Sequence, residues 1–358
     1  MNDSFIESVR RRKEGIFLKK MKAAILKDWN VFAMEEVPMP VITKPDEIIS
    51  KVLVCSICGT DVGLSAKPSG FGDARGLILG HEIVGEVIEV GSEVTGIKIG
   101  DRIVVNPNSY CNICPSCRSG YHNHCENMEL MGITAPGGFA QYIKTKERLT
   151  FPISKKVPLN HAAFAEPLSC AMNGFSRLNI IPGDTCLVIG CGPIGLLFAQ
   201  LARANGARVV CAEIKDTRKK IAEKLGFTVL HGGDEPALLK EKLLALWGRA
   251  PNFCIDVAGA QLPTAIELAE YCGKILCFAS PRQAEHVNLG PIQKKELTVM
   301  GSFIIHDTMP RAITVLENAY LNLDPIITHV LPLSEVGKGM ELMRTGEGME
   351  IILTYDMI

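Results

Sequence analysis

Four cysteines crowd into fifteen residues as Cys111-Asn112-Ile113-Cys114-Pro115-Ser116-Cys117, closed by Cys125, a C-x2-C-x2-C-x7-C pattern. Four soft thiolates at this spacing suit a tetrahedral zinc ion, and a site whose four positions are all protein has no place for a substrate. Its expected role is therefore structural, with metal binding supplying the folding free energy of a loop that has little else to order it. Free surface thiols and an iron–sulfur cluster are the competing readings, and metal analysis separates them.

A second chemistry is written in Gly190-Cys191-Gly192-Pro193-Ile194-Gly195, which follows an apolar strand-like run and precedes a helical pattern at 196–204. Gly190 permits a tight turn, Gly192 lets the backbone approach a pyrophosphate, and Gly195 lets helix and strand pack closely. The helix N-terminus, with Pro193 suited to its first turn, attracts the phosphate charge. An isolated G-x-G-x-x-G is often a turn with no ligand. Here Glu213 ends the next strand about twenty residues on, where a carboxylate would bond the adenosine ribose hydroxyls and repel a 2′-phosphate. The expected cofactor is NAD, with NADP the lesser option because Lys215 and Arg218 stand close by and could accept a phosphate.

A third set is dispersed: Cys58-Gly59-Thr60-Asp61 after the strand-like run 48–54, and Gly80-His81-Glu82 opening the next one. Each piece alone is weak, since a lone cysteine or histidine in an apolar region is more often packed core than ligand. Their value comes from preceding a zinc-type lobe and a nucleotide fold in one chain. A catalytic zinc needs about three protein ligands and one open position.

The elements that must position these groups fall into two patterns. From Met21 to about Leu168, short strand-like runs are cut by glycine and proline, which reads as mostly β. Between about 182 and 303, apolar strands (185–189, 209–212, 253–257, 274–279, 297–300) alternate with helix-length amphipathic stretches, which predicts a doubly wound parallel sheet. The tail from His306 carries helix-like stretches at 311–320 and 335–343 and a final strand at 351–355, expected to return to the first domain. With 358 residues and roughly 150 per domain, two domains are expected.

Composition narrows the partners. A formal net charge of −1 with evenly mixed signs gives no reason to bind nucleic acid or an anionic membrane, and residues 119–123 hold no basic recognition helix. No apolar run reaches the roughly 18 to 20 residues of a membrane span. Thirteen cysteines, most of them single in apolar runs, suggest a reducing compartment rather than a disulfide framework, so the cytoplasm is expected. Residues 1–20 lack both a signal-peptide core and the acid-poor composition of a transit peptide, and read as a disordered leader.

On these motifs, the sequence from Met21 to the C-terminus resembles the zinc-containing medium-chain dehydrogenases and, among them, the sorbitol and threonine dehydrogenase branch. The resemblance implies an α/β fold: a GroES-like, mostly β catalytic domain at 21–172 with the zinc lobe at about 106–130, a Rossmann domain at 173–305, and a return at 306–358. It implies that Cys58 and His81 bind a catalytic zinc, that Glu82 is a direct or transient ligand, and that Glu166 binds the metal or positions its water. Two zinc ions per chain follow. Thr60 would hydrogen-bond the reacting hydroxyl as the first member of a proton relay, and the activity implied is NAD-linked oxidation of a small secondary alcohol or polyol to its ketone, by a homodimer or homotetramer.

Two departures bear on this expectation. Many relatives carry a histidine five residues after the ligand cysteine, at the outer end of the relay, and here that residue is Gly63, which leaves water and Glu166 to take over. Sorbitol dehydrogenases read Phe-Arg-Tyr after the last nucleotide-domain strand, with the Arg and Tyr holding the polyol, whereas this chain reads Phe303-Ile304-Ile305. His306 and Asp307 either replace those contacts or are simply solvated, and Lys67, Arg75 and Arg311 either meet an acidic substrate or are ordinary surface charges. Sugar acids, sugar phosphates and threonine-like amino alcohols are the alternative substrates, and a non-catalytic nucleotide-binding relative is the remote alternative.

Overall fold

A computed structural model describes residues 19–279 and 286–355. The leader expected at 1–20 lies outside the described residues except for its last two, and of these Lys20 already opens the first strand.

The first sheet is organised by the strand Glu47–Ser56. Along one edge it pairs antiparallel with Glu82–Val90, and its other edge is shared by Tyr142–Lys146 at one end and Glu350–Thr354 at the other. The sheet runs on through Arg102–Val105 to Thr150–Pro152, while Glu350–Thr354 pairs in parallel with Ile327–Pro332. An antiparallel hairpin, Lys20–Asp28 with Val31–Pro38, covers one side. Ile48 and Val52 point into the core beneath that hairpin. A register shift between Val52 and Val54 exchanges the faces of the strand. Val54 thereby turns toward the helix Ala165–Phe175, which carries Glu166.

The second sheet has six parallel strands in the order Thr228–His231, Arg208–Glu213, Thr185–Ile189, Phe253–Asp256, Lys274–Cys277, Thr298–Gly301. The chain enters at the centre, winds to one edge and returns to build the other, so the strand order reverses between Thr185–Ile189 and Phe253–Asp256. Open α/β sheets bind ligands at that switch point, beyond the carboxyl ends of the strands. The two central strands are buried throughout, which is why they read as continuous apolar runs. Thr228–His231 is a sixth strand beyond the five legible in sequence. It is a four-residue, half-exposed edge strand, too short and too mixed for a periodicity signal.

In the tail, the helices form as Met309–Glu317 and Val336–Thr345 and the last strand as Glu350–Thr354. The strand Ile327–Pro332 between them was not legible, for the same reason as the other edge strand. Helix Ala165–Phe175 packs on both Met309–Glu317 and Pro193–Ala204. One continuous apolar core runs from Val54, Val84 and Val104 through Leu168 and Ala171 to Val188 and Phe198. The helix carrying Glu166 is thus wedged between the two sheets. No helix among the described residues is long and apolar enough to cross a membrane.

Candidate active site and cofactor cradle

Cys58 lies just beyond the strand Glu47–Ser56 and is the N-cap of the helix Gly59–Ala66. Glu82 opens the neighbouring strand in register with Ser56, and His81 stands immediately before it. Sheet pairing therefore brings together groups more than twenty residues apart, and the donor atoms of Cys58, His81 and Glu82 lie within 4.8 Å of one another. Asp61 fixes the arrangement from below. It is fully buried, its Oδ2 accepts the Cys58 backbone N–H at 2.9 Å, and its Oδ1 accepts the Gly80 N–H at 3.2 Å. The same Oδ1 lies 3.4 Å from His81 Nδ1. One carboxylate thus holds both ligand-bearing segments and sits behind the imidazole, as supporting carboxylates do at metal sites.

Glu166 stands outside the 4.8 Å cluster. It is buried in the first turn of its helix, and its Oε1 accepts a hydrogen bond from Cys170 Sγ, one turn on, at 3.4 Å. Sequence reasoning missed three participants. Ser56 Oγ donates to Glu82 Oε2. Glu350, in the strand on the other side of Ser56, is buried with Oε1 unpartnered. Cys170 is half-buried above Glu166. The signal for Cys170 was its i+4 spacing from Glu166. The other two juxtapositions arise only from strand register.

The electrostatics of these groups call for a cation. Burial pushes the Cys58 thiol up to about 11, with Glu82 reinforcing the shift and His81 opposing it. Burial likewise raises Glu82 to about 7, with His81 opposing and Glu166 adding to the rise. Burial also raises Glu166, and together with the neighbouring Glu82 it holds Glu350 well above the carboxylate range. For His81, burial acts downward, but Asp61 and Cys58 carry it well above its usual value. Four carboxyl groups and a thiol gather around one imidazole and one another, so they cannot all ionise in this pocket unless a cation compensates them. A divalent metal fits that donor set of thiol, imidazole and carboxylate.

Thr60 is half-buried two residues after Cys58, and Gly63 lies exposed one turn further, where an added side chain would meet nothing within 4 Å.

Cys111, Cys114, Cys117 and Cys125 form the second cluster, again with all donor atoms within 4.8 Å of one another. Successive backbone N–H groups are aimed at the sulfurs: Cys111 N–H at Cys125 Sγ (3.3 Å), Cys114 N–H at Cys111 Sγ (3.4 Å) and Cys117 N–H at Cys114 Sγ (3.5 Å). Hydrogen bonds from the Ile113 and Cys114 backbone lower the Cys111 thiol to about 6, while burial pushes Cys117 up to about 12. The sulfurs are close-packed but unbridged, as expected of thiols gathered for a metal rather than paired as disulfides.

At the switch point, Gly190 has φ +106°, a conformation that favours glycine, and a Cβ on Gly195 would fall 1.9 Å from the Gly190 carbonyl oxygen. The helix begins with Pro193 after Gly192 as N-cap, and Ile194 lies in its first turn. The nearest atom to a Cβ on Gly192 would be Arg218 Nη1 at 3.7 Å, which puts a guanidinium over the loop where a pyrophosphate would lie. Glu213 is buried. Its Oε2 accepts the Cys191 N–H at 2.7 Å, and its Oε1 accepts those of Ile214 and Lys215 at 2.8 and 2.9 Å. Lys215 Nζ reaches across to the Thr345 carbonyl at 3.2 Å.

The remaining charged candidates are engaged elsewhere or lie on the surface. Arg75 pairs with Asp73 at 2.7 Å and lies over the Trp29 ring, while Lys67 and Arg311 are exposed. His306 and Asp307 are not simply solvated. His306 Nε2 bonds the Gly120 carbonyl at 2.8 Å and Asp307 meets His122 Nδ1 at 3.2 Å, so both belong to a junction with the cysteine lobe.

Known proteins match this geometry along nearly the whole chain. Residues 44–155 match the alcohol dehydrogenase GroES-like domain and residues 193–318 the zinc-binding dehydrogenase domain. The chain is 32% identical to D-arabinitol dehydrogenase 1 of Uromyces fabae over 89% of its length and 93% of the relative's. It is 31% identical to an L-threonine 3-dehydrogenase of Bacillus velezensis, covering 93% and 99% of the two chains. Among solved structures, a zinc-binding dehydrogenase of Sinorhizobium meliloti bound to NADP superimposes with a TM-score of 0.85 at 31% identity, covering 94% of this chain and 99% of that one. An Escherichia coli alcohol dehydrogenase complexed with NADH gives 0.86 at 26% identity, with 94% and 99% covered.

Proposed function

The chain belongs to the zinc-containing medium-chain dehydrogenases, and from that premise we propose that it moves hydride between NAD(H) and a small secondary alcohol or polyol and its ketone. The observation that carries this reading is the juxtaposition of Cys58, His81 and Glu82 within 4.8 Å of one another, in a buried pocket whose excess of acidic groups calls for a divalent cation. Cys58, His81 and Glu82 would hold a catalytic zinc, with Glu166 beside it, and Cys111, Cys114, Cys117 and Cys125 a structural one. Zinc when bound supplies a Lewis acid that lowers the pKa of a substrate hydroxyl, and NAD supplies the hydride acceptor.

The chain's own residues orient the substrate and move the proton. Thr60 hydrogen-bonds the reacting hydroxyl and passes its proton outward. Glu166, raised by burial, takes that proton up, since Gly63 offers no imidazole. Cys170 steadies the Glu166 carboxylate, and Asp61 keeps the His81 ring and the Cys58 backbone in place. On the cofactor side, Gly190, Gly192, Pro193, Ile194 and Gly195 form the pyrophosphate turn, with Arg218 above it. Glu213, fixed by three backbone N–H groups, would meet the ribose hydroxyls of a bound cofactor and disfavour a 2′-phosphate, which supports NAD over NADP.

Residues 21–172 and 306–358 are assigned to the catalytic domain and 173–305 to the nucleotide domain, in a cytoplasmic homodimer or homotetramer. The likeness to an L-threonine 3-dehydrogenase keeps amino alcohols in view. The test is an NAD-linked screen over polyols, sugar acids, phosphorylated polyols and amino alcohols, run with metal analysis. Hydride transfer with at least one of them, with two zinc ions per chain, is expected. No transfer with any of them despite two bound zinc ions would overturn the reading.

A further inference from the structure

The segment 303–307 carries the chain out of the parallel sheet toward the helix Met309–Glu317, and it is held by the tip of the four-cysteine lobe. Asn123 Nδ2 donates to the Phe303 carbonyl at 3.0 Å, His122 Nδ1 meets Asp307 Oδ2 at 3.2 Å, and His306 Nε2 bonds the Gly120 carbonyl at 2.8 Å. His124 stacks on Phe303 with ring centres 5.7 Å apart. From the opposite side Asn173 Nδ2 donates to the Phe303 and Ile304 carbonyls at 3.1 and 2.7 Å. Glu166, Cys170 and Asn173 follow one another at i, i+4 and i+7, so a single helix face runs from Glu166 to this segment.

The segment needs such support. Ile304 and Asp307 have φ of +40° and +53°, conformations that non-glycine residues, and β-branched ones above all, keep only when their surroundings impose them. The lobe's grip is itself braced at a cysteine: Tyr110, next to Cys111, stacks on His122 at 4.4 Å, and the Arg148 guanidinium lies over the Tyr110 ring at 4.3 Å.

We propose that the four-cysteine lobe is the clamp that sets the backbone of 303–307, with His122, Asn123, Asp307 and Asn173 as positioning residues, so that a metal in the lobe fixes the path by which the chain leaves the parallel sheet. The side-chain part of this proposal stands without any metal, and only its last clause rests on the lobe zinc proposed above. The test is amide hydrogen exchange on the full-length protein. Loss of one or two clamp bonds in Asn123→Ala or Asp307→Ala speeds exchange at 303–307 by about tenfold, while 190–195 and 208–213 keep wild-type rates. Asp307→Asn, which keeps an acceptor for His122, restores slow exchange. Cys117→Ser, which removes a lobe sulfur, reproduces the loosening of 303–307. Asp307 lies outside the lobe, so the Asp307 pair remains decisive even where a lobe variant fails to fold. Exchange at 303–307 within twofold of wild type in both alanine variants, or a rise spread evenly over the whole chain, overturns the clamp. Unchanged exchange in Cys117→Ser alone overturns the coupling to the metal. Because exchange rather than turnover is measured, failure here is separate from failure of the dehydrogenase reading.

Discussion

The two metal-competent clusters lie in the same β-rich region and are built in opposite ways. The four cysteines come from fifteen consecutive residues, and three of their sulfurs accept backbone N–H groups of other cysteines in the same run, so the cluster is assembled within one loop. Cys58 caps a helix and His81 and Glu82 open a strand more than twenty residues on, while Asp61 and Ser56 come from the helix and strand that flank Cys58 and Glu166 and Glu350 from two further elements. The local cluster closes on itself and suits a structural ion. The dispersed one gathers three donors rather than four, and a site with three protein ligands can spare a position for substrate.

The contrast is broken most directly by removing one cysteine from each. Cys58→Ala is expected to cut turnover by about 10³-fold or more while leaving the fold intact, because the lost Lewis acid is worth several kcal/mol and each 1.4 kcal/mol is tenfold in rate. Cys117→Ser is expected to act on stability instead, since apparent zinc affinities of about 10 to 16 kcal/mol at such sites are folding free energy for the loop. Thermal unfolding and steady-state rates measured side by side separate the two effects. Equal losses of rate and stability in both variants would erase the distinction.

Next in size is Glu166→Gln. A general base contributes about 10² to 10⁴ in rate, and the loss should be concentrated near neutral pH. Burial raises Glu166, so its proton-accepting form is reached only above the usual carboxylate range. The wild-type rate should therefore climb with pH through that raised value, and the variant should lack the climb. An unchanged pH–rate profile removes Glu166 from the relay. Asp61→Asn is expected to cost about 10- to 100-fold in affinity for the catalytic metal, as losses of supporting carboxylates do, and to leave the lobe metal in place. Competition with a zinc-sensitive dye measures both. The smallest effect belongs to Gly63→His. The position is open to solvent, so an imidazole there should fit without strain and speed turnover by about two- to fivefold. A slower enzyme would mean that the outer relay position has no part in this chain.

The same contrast explains what could be read from the sequence. The lobe and the glycine turn were legible because their residues are neighbours in the chain, and so were the central strands, whose burial on both faces leaves continuous apolar runs. Cys58, His81 and Glu166 were legible only through motifs. Ser56 and Glu350 were not, because strand register alone brings them to Glu82, and a serine or glutamate in a strand carries no mark of what lies across from it. The strands Thr228–His231 and Ile327–Pro332 escaped because both are half-exposed and mix polar with apolar residues, which leaves no clear pattern. His306 and Asp307, which as loop residues could have been merely solvated, are instead locked to the lobe, a contact between segments about 185 residues apart.

The central claim is that the dispersed cluster holds the metal that does chemistry and the local one the metal that holds structure. Native mass spectrometry of the wild type, Cys58→Ala and Cys117→Ser, each assayed for NADH formation with the best alcohol from the screen, tests it most directly. Two zinc ions in the wild type, one in each variant, and NADH formation abolished in Cys58→Ala but retained by folded Cys117→Ser are the predicted results. Two zinc ions in Cys58→Ala, or wild-type NADH formation with that site empty, would contradict it.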